Sequence, residues 1–324
     1  MKIEFLPPAR AELTDAISYF NTQSEGLGYG FAAEVKRTLE RIAQYPDAWF
    51  KLSKRTRRCR TNRLTLPSRT HSYSTLGAIS AVAFIVACVA HEAIGHGGMC
   101  LAVGGRVTLL TSVYFHCTNG GPLTDAAGPL MNLIVGAACW SLACNRPLAS
   151  LSRLFFVLAM AFNLFWGAGY FIFSAVSNTG DWAFVLRDLS LEPRWLWRLL
   201  MGALGVGIYI RSARAVATHV PPGTPLVWSY LVAGVVSCIA ALLFAGPVLP
   251  AVREAAQESF GAAVGFLFLA YRSSKQAYAS PSPILVAHSN SWLLFSALVT
   301  MLFFLVLGRG CGATLLGLGL AIAH

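Results

Sequence analysis

Two patterns of hydrophobic and polar positions divide the chain. Up to about residue 70, single apolar residues alternate with polar ones; beyond it, apolar residues gather into membrane-length runs. In the first region Ile3-Glu4-Phe5-Leu6 reads as a short strand, ended by Pro7-Pro8, which can open a helix. Leu13, Ile17 and Phe20 then recur at helical spacing. After Gly26, Gly28 and Gly30, a second helix carries Phe31, Val35, Leu39 and Ile42 on one face, and Pro46 stops it. One more strand reads at about residues 57–66.

The second region predicts about six membrane helices, at about residues 76–103, 125–144, 154–177, 195–210, 226–248 and 292–307. A further apolar stretch, 260–271, is too short to span and reads as re-entrant or interfacial. Between the first two spans, Val107, Leu109, Thr111, Val113 and Phe115 alternate with their neighbours, the period of a strand. A hairpin or re-entrant strand here must be sheltered by protein, because hydrocarbon leaves its backbone groups unsatisfied. The expected fold is a mainly α membrane protein of about six transmembrane helices with a membrane-associated β segment. A small, truncated α/β head (1–70) precedes the polytopic part (71–324).

Composition agrees. Hydrophobic residues make up 56% of the chain and charged residues 12%, against about 25% charged in soluble proteins. The formal charge of +11 is concentrated early, with eight Lys/Arg between Lys51 and Arg69. Beside a membrane segment such a run suits anionic lipid at a cytoplasmic face more than nucleic acid, so no nucleic-acid partner is expected. The eight cysteines show no CxxC pairing, and Cys88, Cys139, Cys144, Cys238 and Cys311 sit in or beside apolar runs. They read as small hydrophobes rather than as a disulfide framework. The polar first seventy residues read as a soluble segment rather than a signal peptide.

One stretch of the first span carries chemistry: His91-Glu92-Ala93-Ile94-Gly95-His96. Two histidines and a carboxylate are costly inside a membrane, so their default reading is functional. Neutral imidazoles suit zinc, and a neighbouring glutamate can serve as base for an attacking water. The alternative is a pair of histidines bonded to backbone carbonyls. The zinc-protease spacing HExxH puts both histidines on one helix face; here there is one residue more. On an ideal helix they then stand about 140° apart rather than about 40°. A one-residue π-bulge, or unwinding at Gly95, Gly97 and Gly98, would bring them together. Further candidates follow in order. His116 and Cys117 end the strand segment and read more readily as a solvated loop than as ligands. Asp125 opens the second span, where it reads as a helix cap or a third ligand. Asn132 lies in Ala-Gly-Pro-Leu-Met-Asn, and Asp181 in Asn-Thr-Gly-Asp-Trp at the end of the third span.

Two resemblances can be stated on these residues. "PPARAELTDAISYF", "GLGYGFAAEVKRTLERIAQYPDAW" and "RRCRTNRL" resemble the RelE/ParE family of toxin–antitoxin toxins. That family continues into further strands which carry much of its active surface. Here the chain turns instead into a Ser/Thr-rich linker, which implies a truncated toxin fold with no antitoxin partner. "HEAIGH", "VTLLTSVYF", "AGPLMN" and "NTGDW", in that order, resemble the site-2 protease family of intramembrane zinc metalloproteases over about residues 76–182. The resemblance implies zinc held by His91, His96 and Asp181, with Glu92 as general base and Asn132 positioning the substrate backbone. It implies a membrane-embedded protein substrate, and a multi-pass protein in the lipid bilayer of a bacterial inner membrane. The extra residue in HEAIGH and the Asp-Trp in place of the family's Asp-Gly leave open a non-catalytic relative that binds a membrane partner. A toxin-derived RNA- or protein-binding activity of the head is a third reading.

Overall fold

A computed structural model of the chain describes residues 5–23, 27–54, 56–59, 61, 71–147, 150–279 and 286–312. They divide into two compact units, one up to Thr70 and one from His71 onwards. The first unit contains two packed helices, α1 (Pro7–Gln23) and α2 (Leu27–Gln44), and a two-residue antiparallel pair, β1 (Phe50–Lys51) with β2 (Arg57–Arg58). The helices approach closely because Gly28 has no side chain: a Cβ there would lie 2.0 Å from the Ile17 carbonyl oxygen. The strand expected at residues 3–6 is not formed at Phe5 and Leu6, and its first two residues lie outside the described residues. Of the strand expected at 57–66, Arg57–Arg58 is strand, and most of the rest lies outside the described residues.

The second unit is mostly helical. Its first helix, α3 (Tyr73–Ala102), is begun by Ser72, whose side chain accepts a hydrogen bond from the Thr75 backbone N–H. A hairpin follows, β3 (Val107–Leu110) and β4 (Phe115–Cys117). Then come α4 (Pro122–Cys144), α5 (Leu151–Ser177), α6 (Asp181–Asp188), α7 (Arg194–His219) and α8 (Leu226–Leu242). The last described elements are α9 (Val248–Ala256), α10 (Gly265–Ala279), α11 (Asn290–Gly308) and β5 (Cys311–Gly312). Five of these helices (α3, α4, α5, α7 and α11) are long and apolar enough to cross a membrane. The sixth expected span, 226–248, is interrupted: α8 stops at Leu242, 17 residues long, and Pro247 begins α9.

Helix α5 is the centre of the unit and packs against α3, α4 and α7. Its inner face carries Leu158, Phe162, Phe165 and Trp166, all buried. Small residues set how near α4 comes. A Cβ on Gly167 would lie 2.7 Å from the Pro129 carbonyl oxygen, and one on Gly136 would lie 2.6 Å from Leu164. The hairpin is antiparallel, with Leu110 opposite Phe115 and Val107 opposite Cys117, and an irregularity between Val107 and Leu109. β5 pairs with the other edge of β3, giving the order β4-β3-β5. The β segment expected from alternation is therefore two strands and a turn, part of the helical unit.

Substituting Gly167→Val should wedge α4 from α5. Overpacking of this kind costs about 1–3 kcal/mol, so the thermal unfolding midpoint in detergent should fall. An unchanged midpoint would show that the crossing relaxes freely.

Candidate metal centre

Between Ala90 and Gly97 the backbone of α3 widens into π-helical turns before closing again as α-helix at Gly98. Each π-turn takes up one residue more than an α-turn, so the five-residue step from His91 to His96 returns to the same face. Their Nε2 atoms lie 3.2 Å apart. The widened turn also brings Gly95 against α4. A Cβ on Gly95 would lie 2.7 Å from both the Ala127 carbonyl oxygen and the Gly128 Cα, so backbone meets backbone here.

The third member arrives from the far end of α5. Asn178 ends that helix in the left-handed conformation (φ 60°), and Gly180 reverses the chain at φ 83°, a backbone region that favours glycine. Asp181 therefore opens α6 pointing back at the histidines. Its Oδ2 is 3.1 Å from His91 Nε2 and 3.5 Å from His96 Nε2. Trp182 stacks on Phe171 with ring centroids 4.3 Å apart, which holds the start of α6 in place.

The protonation pattern follows from the partners. Asn132 uses both amide hydrogens, on the Ala87 carbonyl (2.9 Å) and on Asn163 Oδ1 (3.0 Å). Its Oδ1 must then accept from His91 Nδ1–H at 2.7 Å. The Thr124 carbonyl oxygen can only accept, so His96 Nδ1 donates to it at 2.7 Å. Both neutral imidazoles thus turn an Nε2 lone pair towards Asp181 Oδ2, a buried oxygen with no hydrogen-bond partner among the described residues.

Three electron-rich atoms facing one another need a positive charge among them. A proton on one imidazole would serve one contact, at the about 2.7–2.9 Å of a charge-assisted hydrogen bond. The observed separations of 3.1, 3.2 and 3.5 Å are longer. They match the edges of a tetrahedron: ligands about 2.0–2.1 Å from a central cation stand about 3.3–3.4 Å apart. His91, His96 and Asp181 therefore form a candidate metal site with one tetrahedral position left over.

Aromatic rings fix the imidazoles. Trp166 stacks on His91 at 5.6 Å, the Tyr170 ring lies 4.8 Å from it on a tilt, and Phe115 of β4 stacks on His96 at 5.4 Å. Glu92 is buried beside the cluster, within electrostatic reach of His91, His96 and Asp181, and no hydrogen bond engages its carboxylate among the described residues.

The other sequence candidates are placed as follows. Asn132 is fully buried behind His91, where all its amide hydrogens are used. It is thus a partner of the ligand and has no free donor for a substrate backbone. Asp125 sits half-buried in the first turn of α4, outside the cluster. His116 points outward from β4. Cys117 is not a ligand: it forms a disulfide with Cys100, closing a 17-residue separation. That bond is a disulfide where the sequence predicts no disulfide framework, while Cys88 and Cys139 in the apolar runs are buried and free. The sequence reading missed Trp166, Tyr170 and Thr124. Asn163, Trp166 and Tyr170 recur at spacings of three and four along α5, a face that periodicity alone could have marked.

No family model, curated protein or solved structure matches this chain.

Two substitutions probe the site. A Cβ on Gly128 would lie 2.3 Å from His96 Nε2 and 2.9 Å from His91 Nε2, and both rings are pinned. Gly128→Ala should abolish metal uptake while helical circular dichroism is unchanged; normal metal content would refute the packing argument. Asn132→Ala frees the His91 tautomer and should weaken metal affinity by about 10–100-fold, measured by competition with a chelator.

Proposed function

We propose that this chain is an intramembrane zinc metalloendopeptidase that hydrolyses peptide bonds of a membrane-embedded protein. One observation carries the reading: two neutral imidazoles and an unpartnered carboxylate oxygen converge beside Glu92, on a helix long and apolar enough to cross a membrane. Two nitrogens, one oxygen and an open position are a donor set typical of catalytic zinc. When bound, zinc supplies Lewis acidity that polarises a carbonyl and acidifies water.

The protein's own residues do the rest. Glu92 takes the proton of the attacking water and returns it to the leaving amine. Its unengaged carboxylate suits a group that must accept and release a proton in one cycle. Asn132 and the Thr124 carbonyl hold the two ligands in the tautomer that offers Nε2. Asp181 completes the ligand set from a separate helix.

The resemblance to site-2 proteases supports this reading, and the π-turns answer its main difficulty, since they absorb the additional residue of HEAIGH. The five long apolar helices support a multi-pass membrane protein. Among the described residues the head has two helices and a two-residue strand pair, which supports the reading as a truncated RelE/ParE-type unit.

The test is a paired substitution in proteoliposomes with a panel of synthetic transmembrane peptides. Glu92→Gln should keep zinc, read by elemental analysis, and lose cleavage, because an amide accepts no proton at neutral pH. His91→Ala should lose both. A non-catalytic relative would show zinc and no cleavage in the wild type; full cleavage by Glu92→Gln would remove the enzyme reading.

A further inference from the structure

A second polar centre lies one side chain away from the metal site. Tyr170, whose ring packs on His91, donates its hydroxyl hydrogen to Glu258 Oε1 at 2.5 Å. The other carboxyl oxygen of Glu258, Oε2, is buried and has no partner among the described residues. Buried carboxyl oxygens are ordinarily satisfied, so an orphan asks for an explanation. Glu258 also lies within electrostatic reach of Glu92 and Asp181.

The backbone around Glu258 is unusual in the same way as that around His91. Residues Gln257–Gly261 form a second π-helical segment, continuing α9. Such turns concentrate at functional sites, because the extra residue re-aims a side chain. Next to it is a cavity of about 280 Å³, lined by Tyr170, Ile172, Phe173, Tyr209, Glu258 and Gly261 among others. Tyr170 is therefore a shared wall: its ring faces the ligand His91, and it also lines the cavity. The volume is just below the about 300–1,000 Å³ of small-molecule pockets. That suits one large side chain and is small for a lipid acyl chain or a cofactor.

We propose that this cavity receives one large apolar side chain of the polypeptide next to the bond presented to His91, His96 and Asp181, with Glu258 Oε2 accepting a hydrogen bond from that segment's backbone N–H. Naming the occupant as a substrate segment rests on the peptidase reading above. The chemistry of the recognition does not: apolar walls take the side chain, and the unpartnered oxygen takes the N–H that an unwound segment leaves unpaired. Glu258 and Tyr170 are thus positioning and specificity residues. The pocket selects large apolar residues over small ones at one position.

Gly261 provides a clean test. A Cβ there would meet nothing within 4 Å, so Gly261→Leu places a large side chain at the cavity wall without forcing the backbone. The probes are N-acetyl-phenylalanine amide and N-acetyl-glycine amide, titrated into the full-length protein in detergent and followed by ligand-observed NMR. The wild type should bind the phenylalanine probe at least about tenfold more tightly than the glycine probe, as burial of a large apolar side chain requires. Gly261→Leu should erase that difference. Glu258→Gln, which keeps the shape and an acceptor for Tyr170 but presents an amide N–H₂ or a weaker acceptor to the ligand, should weaken both probes.

Equal binding of the two probes by the wild type, or an undiminished preference in Gly261→Leu, overturns the proposal. The two readings fail separately. Gly261-dependent binding with no cleavage of any peptide leaves the pocket and removes the peptidase. Cleavage with a preference that ignores both substitutions leaves the peptidase and removes the pocket.

Discussion

Two imidazole lone pairs and a carboxylate oxygen cannot face one another across 3.1–3.5 Å in an apolar interior without positive charge between them. Much of the surrounding structure is explained as the means of forcing that juxtaposition. Asn132 and Thr124 take the Nδ1 hydrogens, which leaves Nε2 bare. Trp166 and Phe115 stop the rings from rotating away. The reversal at Asn178–Gly180 returns Asp181 from the end of α5 to the last third of α3. Each support acts on a different degree of freedom: tautomer, ring angle and chain direction.

The same constraint explains where the small residues fall. Gly95 and Gly128 let a widened helical turn lie directly on the backbone of α4, so His96 reaches its place without a side chain between the two helices. Gly136 and Gly167 keep α4 and α5 together over the rest of their crossing. In a medium as apolar as the side chains themselves, such close packing, rather than exclusion of water, holds helices together. The spaces that matter are made by absent Cβ atoms, and they cannot be filled without moving a ring or a backbone.

The chain announced some of this. His91, Glu92 and His96 stood out because ionisable groups rarely lie in an apolar run, and their spacing already conflicted with a regular helix. Asp181 stood out as a carboxylate at a glycine-containing helix end. Alternation marked the segment as a hairpin or re-entrant strand, and it is a hairpin that turns at residues 111–114. Other features were illegible for physical reasons. Asn132 looks the same in sequence whether it faces a substrate or a ligand; only the count of its hydrogen bonds decides. Cys100 and Cys117 are joined by the fold-back of the hairpin onto α3, a tertiary event with no local spacing rule. Tyr170 and Glu258 are 88 residues apart in the chain, and nothing in either neighbourhood names the other. The shortness of α8 was hidden because Phe244 and Val248 continue the apolar run past the point where the helix stops.

The Cys100–Cys117 bond also says something about geography. Disulfides form and persist where thiols are kept oxidised, and are rare where they are kept reduced. Helix α3 has 30 residues, about 45 Å at the α-helical rise, more than the about 30 Å of a bilayer's hydrocarbon. Its two ends therefore belong to opposite faces of any bilayer it crosses. Cys100 lies at one end, four residues after His96; ahead of the other end, in the sequence, stand eight basic residues between Lys51 and Arg69. Basic flanks favour the cytoplasmic face, and the disulfide favours the face away from it. The two preferences point the same way along the helix.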